Sequence, residues 1–185
     1  MTGTEGDGTE SAADAADATR SRDLVGGSGD PVDADAADLA GSEALEQELR
    51  EHGLFAWLDL DIVAVEPGRA VFDLPFDEKF ANISSGTVHG GITATVIDTA
   101  SGFALRSTFE NPAHAALTTT DLNVRYVRPA RDDLRVAAEV VRAGSSMGVT
   151  ECEVTTMHEG ERKVVATGGT TYRLFRNADA DEDED

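Results

Sequence analysis

Lysine is almost missing from this 185-residue chain: Lys79 and Lys163 stand against thirteen arginines and 36 acids. The formal charge of −21 argues against nucleic acid or an anionic membrane surface as a partner, because binding to either needs an extended basic face. Cysteine is scarcer still. Cys152 stands alone, so an intramolecular disulfide is excluded. The four histidines, at 52, 89, 114 and 158, have no ligand-like spacing and only one thiol to join them, so no metal is implied. No apolar run of about 18 residues is present to cross a membrane, and no charged segment followed by an apolar one opens the chain as an export signal. The expectation is a cytoplasmic protein, in which the Asn82-Ile83-Ser84 triplet carries no sugar.

The acids are unevenly spread. Residues 1–40 hold ten acids and two arginines, and 177–185 hold six acids and no base, leaving a net charge of −7 for 41–176. Both ends are built from small and polar residues that bury too little apolar surface to offset chain entropy. Disordered acidic tails at 1–41 and 177–185 are therefore expected around one folded domain at 42–176. Many acids with few lysines suggest adaptation to high salt, where an acidic surface stays hydrated. Acidic tails on a mesophilic protein are the alternative.

Structure is expected to begin at Ser42, a helix N-cap, with Leu45 and Leu49 at helical spacing and Gly53 as the helix end. "DIVAVEPGRAVFDLPF" reads as a hairpin about Pro67-Gly68, and "DEKFANISSGTV" as a polar loop. "GTVHGGITATVIDTASGFAL" predicts a helix of about 17 residues, roughly 25 Å long, with Ile92, Val96, Ala100 and Phe103 towards a core. Four strand-like runs follow: "HAALTTTDLNVRYVRP", "DLRVAAEVVRAG", "GVTECEVTTMHEG" and "RKVVATGGTTYRLFR". Strands three to five of the six alternate well enough to have one wet and one buried face. One apolar helix against an antiparallel sheet is an α+β architecture. The helix is apolar nearly all round, so the sheet must wrap it or another subunit must cover it.

Asp98 is the exception on that helix. A carboxylate among apolar and small side chains costs free energy unless it is hydrogen-bonded or paired. One reading is a structural aspartate satisfied by Thr95, Thr99 or a nearby backbone group. Its neighbours favour a functional one. Gly91, Thr95, Asp98 and Gly102 fall on one helical face, small and polar enough to line a narrow substrate channel. The helix opens at His89-Gly90-Gly91, where free N–H groups and the positive dipole end point outward. Glycines there admit a substrate carbonyl close to the backbone, the chemistry of an oxyanion hole.

"HGGITATVIDTASGFA" resembles the His-Gly-Gly…Asp signature of the PaaI-like acyl-CoA thioesterases, and "TTTDLNVRYVRPA" resembles the strand that follows it in that family. The resemblance spans residues 55–176. It implies the hotdog fold, a six-stranded antiparallel sheet wrapped around one long helix, and hydrolysis of an acyl-CoA to the acid and free CoA. Asp98 matches the carboxylate that attacks the thioester or activates a water. Gly90 matches the backbone N–H donor that polarises the thioester carbonyl, and His89 the orienting histidine beside it. Asn82 resembles the family's loop asparagine, one residue further from the histidine than the usual spacing, which puts an extra residue at Ser84-Ser85. Thr119 matches a Ser/Thr that holds the attacking water; strand parity alone leaves Thr118, Thr119 and Thr120 open. Gly91, Thr95 and Arg128 are the candidate substrate contacts. Arg125 and Arg131, like Arg128, would be either contacts to CoA phosphates or surface ion pairs. No cofactor is implied, since coenzyme A is part of the substrate. The family's sites form between subunits, so a homodimer or homotetramer is implied.

Two motifs point elsewhere. Gly144-Ser145-Ser146-Met147-Gly148 fits the G-x-S-x-G nucleophile elbow, but that elbow needs a helix after it, and the alternating "VTECEVTT" follows instead. Asn111-Pro112-Ala113-His114 is similar to an element of hotdog hydratases, in which it precedes the long helix rather than following it. A non-catalytic acyl-CoA sensor and a hotdog enoyl-CoA hydratase remain the alternatives. Neither reading names the acyl group.

Overall fold

The computed structural model describes residues 47–112 and 115–175. The expected tails, the Ser42 cap, Leu45 and His114 lie outside the described residues. Residues 47–51 are helical and bury Leu49. That helix stops at Glu51, just before Gly53, in line with the expectation from sequence, but the chain does not leave helical structure there. His52 takes extended backbone and Gly53 opens a second short helix, α1 (Gly53–Leu58). The cause is apolar: the turn at His52 lays Phe55 and the fully buried Leu58 onto the core.

The hairpin forms as predicted, β1 (Asp61–Glu66) and β2 (Arg69–Leu74) joined at Pro67-Gly68. The segment expected as a polar loop is tied down by one aromatic. Its 3-10 turn, Glu78–Phe80, buries Phe80 edge-on against Trp57, and Ala81 bridges Val88 in antiparallel fashion. Helix α2 (Gly90–Arg106) has 17 residues. Four strands follow: β3 (Ala116–Tyr126), β4 (Leu134–Ala143), β5 (Met147–His158) and β6 (Glu161–Phe175). They complete one six-stranded sheet in the order β1-β2-β4-β5-β6-β3, with every neighbouring pair antiparallel.

Helix α2 packs on this sheet through the face its period predicts. Val96, Ile97, Ala100 and Ala104 are fully buried, and Phe103 meets Phe72 edge-on with ring centroids 5.1 Å apart. Ile92 is half-buried against the same cluster. The helix is also held by polar groups. Thr150 of β5 donates to Ser101 Oγ at 2.9 Å and lies 2.8 Å from the Thr170 hydroxyl of β6, while Ser101 and Cys152 are 3.2 Å apart. At its C-terminal end, Ser107 Oγ accepts the Gly68 N–H at 2.8 Å, which pins the helix to the hairpin turn.

Strand β3 departs from the expected half-buried alternation. Eight of its eleven residues are exposed. It is an edge strand, bonded to β6 alone, so it has neither a second neighbour nor full cover from α2. The register also breaks within it. Thr119 pairs with Tyr172 and Asp121 with Thr171, which leaves Thr120 as an extra residue. Such a bulge swaps the faces of the strand: Leu117 and Thr119 face α2 before it, Val124 and Tyr126 after it. Among the described residues, no helix is long and apolar enough to cross a membrane.

Candidate active site

Helix α2 carries both groups that the sequence singles out, and it keeps them apart. Gly90 is its first residue and Asp98 lies eight residues on, about 12 Å along the axis. In one chain they line different cavities.

The Asp98 cavity holds about 320 Å³. Thr95, Asp98 and Gly102 of α2 line it, with Thr119 of β3, Tyr172 of β6 and Phe55 of α1. The half-buried carboxylate is satisfied from two strands. Thr119 Oγ1 donates to Oδ1 at 2.9 Å, and the Tyr172 hydroxyl lies 2.8 Å from the same oxygen and 2.7 Å from the Asp98 carbonyl. Thr95 and Thr99, the partners considered from sequence, instead donate to the carbonyls of Gly91 and Thr95, each at 2.9 Å. Burial pushes the Tyr172 phenol well above its ordinary range; Thr119 opposes the shift and the charge on Asp98 adds to it. Tyr172 therefore stays a protonated donor at any working pH. Cys152, behind the helix, is pushed up to about 12, mainly by burial.

The Gly90 cavity holds about 400 Å³ and is lined by Gly90, Thr93, Tyr126, Arg128 and Val165. His89 caps the helix, its Nδ1 accepting the Gly91 N–H at 2.9 Å. That bond leaves the ring proton on Nε2, so the neutral imidazole presents a donor outward. Gly91 thus spends its N–H on His89 and lines neither cavity. The Gly90 N–H has no acceptor among the described residues, as the first turn of a helix requires. Tyr126 donates to the Gly90 carbonyl at 2.6 Å, and a Cβ at position 90 would lie 3.0 Å from that ring.

Asn82 lines neither cavity. Its Nδ2 donates to the backbone carbonyl and the hydroxyl of Thr87, both at 3.2 Å, and its backbone carbonyl accepts the Gly86 N–H at 2.8 Å. It closes the short loop that delivers His89. Arg128, anchored by a 2.8 Å bond to the Val164 carbonyl, stands where the Gly90 cavity meets another of about 480 Å³. That second cavity is also lined by Arg131, His158 and Lys163. The Gly144–Gly148 motif forms the turn between β4 and β5, and no helix follows it.

Residues 85–163 match the thioesterase superfamily. A putative esterase of Halobacterium salinarum is 41% identical over 148 residues, 77% of this chain and 97% of that one. The chain belongs to the thioesterase superfamily. It is a thioester hydrolase with the hotdog fold. Human acyl-coenzyme A thioesterase 13 is 31% identical over 117 residues, 62% of this chain and 79% of its own. The E. coli PaaI protein, from the phenylacetic acid degradation operon, shares the fold: TM-score 0.64 at 20% identity, over 73% of this chain and 93% of that one.

In this thioesterase, the residues expected from sequence fall into two groups. Asp98, Thr95 and Thr119 meet at one cavity; Gly90 and Arg128 meet at another, beside His89. Two tyrosines were not expected. Tyr126 and Tyr172 reach Gly90 and Asp98 through pairings across the sheet; Tyr126 lies within the strand run that resembles the family, but nothing local marks its contact with Gly90, and no local motif marks Tyr172. Tyr172 also lies beyond the stretch that matches the family.

Proposed function

We propose that this thioesterase hydrolyses an acyl-CoA at a site shared between two copies of the chain, with Asp98 of one and the Gly90 N–H of the other. The observation that carries the reading is the pair of cavities on one helix. A cavity carboxylate and a free helix-terminal N–H, about 12 Å apart along the axis, cannot both reach one carbonyl from the same chain. The exposed eleven-residue edge of β3 supports the assembly, because a bare strand edge is a ready surface for a second copy. A homodimer, or a homotetramer of two such dimers, completes the site.

At that site the Gly90 N–H and the outward Nε2 donor of His89 polarise the thioester carbonyl. Asp98 attacks the carbonyl carbon, or takes a proton from a water that does. Charge develops on the carbonyl oxygen and meets donors already in place, which is worth about 3 kcal/mol per donor. The C–S bond breaks, the thiol leaves with a proton, and water supplies the hydroxyl of the acid. The cavity beside Arg128 supports CoA as the carrier: in a chain of charge −21, Arg128, Arg131, His158 and Lys163 gather around one space, a setting suited to phosphate oxygens. The human relative named for acyl-CoA supports the same substrate. The acidic composition and the relative from Halobacterium support adaptation to salt.

Thiol release from a panel of acyl-CoAs in high salt tests the reading, with Asp98→Ala and Asp98→Asn beside the wild type. Release by the wild type that is lost in both variants, with fold and assembly intact, is the expected result. A fully active Asp98→Ala protein overturns the mechanism. Hydration of an enoyl-CoA, or binding without turnover, moves the protein to the hydratase or sensor class.

A further inference from the structure

The Asp98 carboxylate is held asymmetrically. Its Oδ1 is contacted by two hydroxyls, Thr119 Oγ1 at 2.9 Å and Tyr172 Oη at 2.8 Å, while Oδ2 accepts nothing among the described residues. We propose that Tyr172 is a positioning residue which, together with Thr119, occupies Oδ1 and leaves Oδ2 as the oxygen that meets the thioester or its water. The inference rests on the role given to Asp98 above.

The surroundings are built for this. Tyr172 is 3% exposed, so its ring is fixed by packing rather than by the hydrogen bond. It lies directly opposite Thr119 across the β3–β6 pair, and the bulge just after Thr119 turns that hydroxyl inward. The helix makes room as well: a Cβ at Gly102 would stand 3.2 Å from Tyr172 Oη, so glycine one turn after Asp98 keeps the hydroxyl within reach of the carboxylate. The Tyr172 hydroxyl also touches the Asp98 carbonyl at 2.7 Å, so one phenol bears on both the side chain and the backbone of the same residue. Two donors on one oxygen remove the rotation about the last side-chain bond that would exchange Oδ1 with Oδ2. The carboxylate then enters the reaction already aimed, and its entropy is lost at folding rather than in the transition state.

The charged and titratable groups around Asp98 come from every element packed on it. Tyr172 is on β6 and Cys152 on β5, Arg106 lies two turns along α2, and Glu48 and His52 come from the N-terminal helical segment. Arg106 is engaged by Glu48 at 2.6 Å. Among these groups, only Tyr172 bonds to the carboxylate.

The test is steady-state thiol release by the full chain, for wild type, Tyr172→Phe, Gly102→Ala and Asp98→Asn, with an acyl-CoA that the wild type hydrolyses. Tyr172→Phe keeps the ring and loses the donor. It is expected to lower kcat about 10- to 100-fold, the worth of a hydrogen bond to a charged group, with KM within about twofold. Gly102→Ala sets a methyl group 3.2 Å from that hydroxyl without removing its proton, and should lower kcat several-fold at similar KM; it carries the test if Tyr172→Phe does not fold. Wild-type kcat in the folded variants, with Asp98→Asn inactive, overturns the proposal. An Asp98→Asn protein as active as wild type instead overturns the reading of Asp98 on which it rests.

Discussion

Replacing Gly90 by alanine separates the oxyanion role proposed for the helix N-terminus from its structural role. The backbone is no obstacle, since Gly90 is an ordinary first residue of α2. The added Cβ falls 3.0 Å from Cζ and Oη of Tyr126, too close to leave that ring in place. Tyr126 is 56% exposed and can give way by the few tenths of an ångström required, at most breaking its bond to the Gly90 carbonyl. Loss of that bond would cost about 1 kcal/mol, and alanine in place of glycine in a helix returns up to about 1 kcal/mol. Stability should therefore change by less than about 1 kcal/mol, a shift in Tm of at most about 4 °C. Activity should not be spared. On the proposed mechanism the methyl group stands beside the N–H that receives the thioester oxygen, and loss of one oxyanion donor costs about 3 kcal/mol, or roughly 100-fold in kcat. Thermal unfolding and thiol release on the same sample measure both effects. A variant that stays within about threefold of wild-type kcat, beside an inactive Asp98→Ala, would refute the assignment of this donor.

Three further outcomes can be checked independently. Phe103→Ala removes a ring wedged against Phe55 and Phe72 and should cost about 3–5 kcal/mol, read as a lower denaturant midpoint at unchanged slope; a loss under 1 kcal/mol would mean that the helix does not rely on this contact. Cys152, with its thiol pushed up to about 12 by burial, carries almost no thiolate near pH 8 and should resist aromatic disulfide reagents in the native protein while reacting once unfolded; rapid native labelling would contradict its burial. Raising KCl from about 0.1 M to 2 M should raise Tm, because screening relieves the self-repulsion of a chain with charge −21; a flat or falling Tm would remove the case for salt adaptation.

Much of the protein is determined by local pattern, which is physically a record of burial. The apolar period of 90–106 is that of a helix with one face on a core, and alternating residues bounded by Pro67-Gly68 and Glu159-Gly160 make strands that turn back on themselves. Asp98 and His89-Gly90 stand out for the same reason, as polar and small residues where the period calls for apolar ones. Other features were decided only by the tertiary structure. The chain re-enters a helix at Gly53 because Phe55 and Leu58 have a core to reach, and that core comes from elements far along the sequence. Thr119, rather than Thr118 or Thr120, faces Asp98 because of one bulge, and a single inserted residue leaves no mark in a run of three threonines. Tyr172 stands 74 residues from Asp98 and meets it only because β6 lies between β5 and β3 in the sheet. Strand order is set by the packing of the whole chain, so the partner of the carboxylate proposed to act on the thioester is invisible in sequence even where the carboxylate itself is plain.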